Sequence, residues 1–112
     1  MRRLSIERYE VENPDGTSTP YDVDVSLLAL LDHPGRQRDA RQVMVSAVVR
    51  GKIIEAVRGE DAEVLLEEAE YQDLADALAT AKGLTTADVG LVERIQSAET
   101  VEVRPRDVLR EV

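Results

Sequence analysis

The chain has 112 residues, 43% of them hydrophobic, with three Tyr and no Phe, Trp or Cys; it reads as one domain with an aliphatic core of Leu, Val, Ile and Ala. The missing cysteines exclude a disulfide framework, a thiolate metal site and thiol chemistry, and the scarcity of aromatics argues against a base-stacking platform for nucleic acid. A formal net charge of −9 sets the chain against phosphate backbones and anionic membranes as direct partners.

The opening stretch alternates with period two through Leu4 and Ile6, shifts near Tyr9 and Val11, and reaches "NPDG" at Asn13–Gly16. Pro presets φ at the second position of a turn and Asp-Gly tolerates a tight reversal. With Tyr21, Val23 and Val25 alternating again, this predicts a β-hairpin over roughly residues 3–12 and 18–24. The apolar run Leu27–Leu31 predicts a short helix capped by Ser26 or Asp24 and stopped by Pro34-Gly35.

The longest helix is expected from Arg38 or Asp39 to Val57, with Asp39 as its N-cap. Its apolar stripe is read as Val43, Met44, Ala47, Val48, Ile54 and Val57, with Arg41, Arg50, Lys52 and Glu55 outward. The run is more apolar than a one-sided helix requires, so it is either central to the core or partly covered by another chain; the core reading is adopted here. Gly51 weakens it by up to ~1 kcal/mol against Ala.

Val64–Leu66 reads equally as a strand or as the first turns of a helix. From Glu68 a helix is predicted, with Tyr71, Leu74, Ala75 and Leu78 on one face, acids in the first turn and Lys82-Gly83 at its end. Another follows, capped by Thr85 or Thr86, with Val89, Val92 and Ile95 on one face. A short strand at 100–103 precedes Pro105. The expectation is therefore α+β: an N-terminal hairpin and a short C-terminal strand, with about four helices on a small antiparallel sheet. Residues 1–104 form the domain and 105–112 a polar tail.

Charge is unevenly distributed. Arg36–Lys52 holds five basic residues and one acid, whereas Gly59–Glu102 holds twelve acids against Lys82 and Arg94. The two regions are either differently charged solvated faces or surfaces that pair head to tail in a salt-sensitive homo-oligomer. Arg36, Arg38 and Arg41 make one candidate partner contact, and Glu67, Glu70 and Asp73 the other. Each also reads as a solvated loop or helix face. No Gly-x-x-x-x-Gly-Lys-Ser/Thr loop accompanies the arginines, and no Ca²⁺-loop spacing accompanies the acids.

His33 is the only histidine, so it cannot complete a zinc or iron site, and neither Ser26 nor Ser46 sits in a nucleophile elbow. "DHPG" reads as a helix exit. No catalytic, cofactor or metal residue is assigned. No run of ~18 apolar residues occurs, and "MRRLSIERYE" lacks an apolar signal stretch, so a cytoplasmic location is expected.

The stretches "PYDVDVSLLALLDHP", "VLLEEAEYQDLADAL" and "ADVGLVERIQSAETVEV" together resemble small acidic, cysteine-free accessory proteins encoded among phage and prophage morphogenesis genes. The resemblance covers about 80 residues by pattern, with no diagnostic motif and no site residue to carry over. It implies an assembly role as chaperone, adaptor or structural accessory, acting in the cytoplasm or within a virus particle. The expected function is a non-enzymatic protein–protein interaction module whose partner is another protein or a second copy, with no direct nucleic acid and no membrane. The alternative is an acidic regulator that occupies the nucleic-acid-binding groove of a basic partner.

Overall fold

The N-terminal alternation does not run as one strand. In the computed structural model, which describes residues 1–33 and 37–101, it divides into β1 (Arg2–Ser5) and β2 (Tyr9–Glu12), which enter different sheets. Leu4 and Ile6 are buried, but the next apolar residues, Tyr9 and Val11, sit at odd positions. One strand cannot keep both sets on a single face, because the side-chain period is two. The phase change at Glu7-Arg8 becomes a break.

β2 pairs with β3 (Ser18–Tyr21) antiparallel, from Tyr9↔Tyr21 to Glu12↔Ser18. The turn forms where "NPDG" placed it. Gly16 N–H donates to the Asn13 carbonyl at 3.0 Å, with Gly16 at φ +86°. Asp15 Oδ1 accepts from the Thr17 hydroxyl (2.6 Å) and N–H (3.0 Å), and these bonds hold its carboxyl below the usual range.

β1 is instead the centre of a three-stranded antiparallel sheet, between β4 (Glu63–Leu66) and β5 (Glu99–Thr100). Val64–Leu66 is thus strand. Pleating turns Leu4, Val64 and Leu66 inward and Arg3, Glu63, Leu65 and Glu99 outward. The outer face is laced by Arg3, 3.5 Å from Glu63 and 3.7 Å from Glu99.

The helices are α1 (Val23–Leu31), α2 (Ala40–Arg58), α3 (Glu68–Thr80) and α4 (Val89–Gln96). α1 starts at Val23 with Asp22 at its N-cap, earlier than the expected Ser26 or Asp24, because Val23 and Leu27 are needed together in the core. Asp39 caps α2 as expected: its side chain accepts from Gln42 N–H at 2.8 Å, and the Gln42 side chain accepts from Asp39 N–H at 2.9 Å. α3 begins at Glu68 as expected, with Glu70 accepting from Glu67 N–H. Thr85 precedes a 3-10 turn, Thr86–Asp88, that leads into α4. There Leu91 and Ile95 are buried while Val89 is exposed, so the expected Val89 position is corrected.

The core is aliphatic, with Leu27, Leu31, Val49, Ile53, Leu74 and Ile95 fully enclosed. α2 supplies it with Ser46, Val49, Ile53 and Ala56, which corrects the expected stripe. Val43, Met44, Ala47, Val48 and Val57 are exposed and Ile54 half-buried. Two apolar arcs lie on opposite sides of this helix, and periodicity alone does not select the one that meets α1 and α3. The Pro34-Gly35 stop, Arg36, residues 102 and 103 of the expected final strand and the tail 105–112 lie outside the described residues.

Candidate interaction surface

Three side-chain contacts hold α2 against two neighbours. Arg50 Nε meets Asp32 Oδ2 at 3.1 Å, tying it to the end of α1. Ser46 Oγ donates to Asp73 Oδ2 at 2.7 Å, and Lys52 Nζ donates to Glu70 Oε1 at 2.6 Å, tying it to α3. Glu70 is only 7% exposed, and its Oε1 also accepts from Glu67 N–H. A buried carboxylate persists where a cation and backbone donors replace its water.

These bonds decide what the predicted contact residues do. Arg38 Nη1 donates to the Leu31 carbonyl at 2.7 Å, satisfying one of the orphan acceptors at the end of α1. With Arg50 and Lys52 on Asp32 and Glu70, the basic stretch is largely spent inside the chain rather than gathered into a patch. Glu70 and Asp73 are engaged in the same way, and Glu67 serves as the cap of α3. Arg36 lies outside the described residues. Of the two described arginines of that cluster, Arg38 is half-buried and Arg41 is exposed at the α2 surface. It lines a groove of about 250 Å³ between α2 and α3 with Gln42, Val45, Gln72, Asp73 and Asp76. The structure therefore brings one residue of each predicted cluster, Arg41 and Asp73, to the same groove.

The outer arc of α2 is what sequence reasoning assigned to the core. Met44 is 67% exposed, Val43 48% and Val48 47%. With Ala47, Gly51 and Ile54 they share about 140° of the helix surface at 3.6 residues per turn. Arg41 borders the arc on one side, and Glu55 and Arg58 fall within it at the C-terminal end of the helix. The signal was in the sequence, as an excess of apolar residues over one stripe; only the side that neighbours cover was not.

His33 follows α1 as expected, in a hollow of about 190 Å³ that Ser26, Lys82 and Asp88 also line. Asp88 Oδ1 accepts from the Tyr21 hydroxyl, and Oδ2 accepts from Thr85 N–H at 2.7 Å. Burial pushes the Asp88 carboxyl up, but the Thr85 N–H, the Tyr21 hydroxyl and the Thr85 hydroxyl outweigh it and hold the group below its usual value. Burial and the bond to Asp88 push the Tyr21 phenol up to about 12, against a bond from Ser26. The carboxylate is thus a cap and a phenol acceptor.

Among the described residues no three acidic or imidazole groups converge to hold a metal ion. No buried side-chain N or O there lacks a hydrogen-bond partner, and no helix is long and apolar enough to cross a membrane. No protein-family model, curated protein or solved structure matches the chain.

Proposed function

We propose that this chain is a non-enzymatic interaction module that binds another protein through the outer face of α2. The observation that carries the reading is the exposure of Val43, Met44 and Val48 on a helix whose opposite face already fills the core. Contiguous exposed apolar side chains of this kind are characteristic of association surfaces, since covering them removes apolar area from water. The similarity to phage and prophage accessory proteins supports an assembly role, as a chaperone, adaptor or structural accessory of a multiprotein complex. The acidic-regulator reading has less support, because Glu70 and Asp73 are already bonded to Lys52 and Ser46.

A photoreactive residue placed at 44 or 48, with a control at Glu12 on β2, tests this in cells that make the protein. Protein adducts are expected at 44 and 48 and not at 12, and they are expected to vanish when Val43→Glu is added. Equal labelling at all three positions, or adducts that survive Val43→Glu, would refute the assignment.

A further inference from the structure

We infer that the occupant of the α2 outer face is a second copy of this chain, packed antiparallel across Ala47 and Gly51. The inference rests on the interaction-module reading and names the partner for that face. Two independent observations carry it.

The first is Gly51, near the middle of the 19-residue helix α2. Glycine is unfavourable there, since it loses the most backbone freedom and adds no packing. A Cβ built on Gly51 meets nothing within 4 Å, so nothing in the described fold requires its absence. A second helix backbone lying against Ala47 and Gly51 would, because small residues at the crossing point allow close interaxial approach. Met44, Val48 and Ile54 then flank the crossing and are covered.

The second is the pattern of charge around the arc. With Ala47 of one copy level with Gly51 of the other, Met44 lies level with Ile54. Arg41 comes about 3 Å along the axis from Glu55 of the second copy, at 1.5 Å rise per residue. Both lie on the same side of the arc's centre, and the twofold axis of an antiparallel pair keeps that side together. Because the interface is isologous, each opposite-charge meeting occurs twice. A parallel, in-register pair would instead set Arg58, near the middle of the arc, against Arg58 of the second copy, a like-charge meeting.

Sedimentation equilibrium on the full chain and its variants tests the pairing. The wild type is expected at twice its 12.4 kDa mass, and Met44→Glu as a folded monomer by circular dichroism. Arg41→Glu and Glu55→Arg are each expected to raise the dissociation constant about 10-fold, and the double variant to return most of that loss, as restored charge pairs do. A wild-type monomer at up to about 1 mM, the weak limit for a specific contact, overturns the inference. So does a dimer indifferent to Met44→Glu, and a double variant no tighter than the single ones overturns the antiparallel order. If the wild type is monomeric while the photoreactive residue at 44 labels a protein of another mass, the self-pairing fails and the broader reading stands.

Discussion

Single side chains here are placed by the bonds that burial requires. Glu70 is enclosed and shares its Oε1 between Lys52 and the Glu67 N–H. Lys52→Ala leaves that carboxylate without its cation and is expected to cost about 2 kcal/mol in urea unfolding. Glu70→Gln keeps an acceptor for Glu67 N–H and is expected to cost about half as much. Tyr21 and Asp88 set opposite ends of the pH profile. The Tyr21 phenol titrates near 12 in the fold against about 10 in an unfolded chain. Its contribution is therefore complete below about 10 and is lost as pH rises toward about 12. The Asp88 carboxyl is depressed, so its contribution is present above the ordinary carboxyl range and lost as pH falls through the folded value. Tyr21→Phe should flatten the alkaline limb of a melting-temperature profile, and an unchanged limb would refute this assignment.

At the scale of elements, the two-stranded hairpin is anchored to α4 by Tyr9, whose ring stacks on Tyr21 within the hairpin. The rings of Tyr9 and Tyr21 lie 4.6 Å apart and nearly parallel. Tyr9 Oη donates to the Ala87 carbonyl at 2.7 Å and accepts from Leu91 N–H at 3.2 Å. A Cβ on Gly90 would stand 2.7 Å from the Tyr9 ring. Gly90→Ala must therefore displace a ring fixed on both sides and is expected to cost about 1–3 kcal/mol, with loss of the tyrosine near-ultraviolet dichroism. Gly51→Ala has the reverse local effect. In the isolated chain it should stabilise α2 by about 0.5–1 kcal/mol, while weakening self-association. A glycine substitution that raises the melting temperature of the monomer yet loosens the dimer separates helix propensity from interface packing.

Over the whole molecule, the two-sidedness of α2 and the net charge of −9 act against one another. Two such copies repel at long range, while the α2 face attracts at contact. Salt screens the long-range part first, with a Debye length of about 10 Å at 0.1 M falling to about 3 Å at 1 M. Association through α2 is therefore expected to tighten between low and high salt, by light scattering. Pairing of a basic patch with an acidic patch would loosen instead, but Arg38, Arg50 and Lys52 are bonded within the chain and leave no such patch among the described residues.

What the sequence determined by itself is local. Turn chemistry at Asn13–Gly16, the capping pair Asp39 and Gln42, and the apolar spacing of Tyr71, Leu74 and Leu78 act within a few residues, so the hairpin turn and the starts of α2 and α3 were legible. The aliphatic composition likewise dictated the kind of core. Tertiary structure alone decided that β1 leaves the hairpin to lie between β4 and β5, because its partners sit some 60 to 100 positions away, as in Leu4↔Val64 and Arg3↔Glu99. It also decided which apolar arc of α2 is buried, and with it the candidate site. Periodicity reports that a helix has a face fit for burial, but when two faces qualify, only the position of neighbouring elements settles which one water keeps.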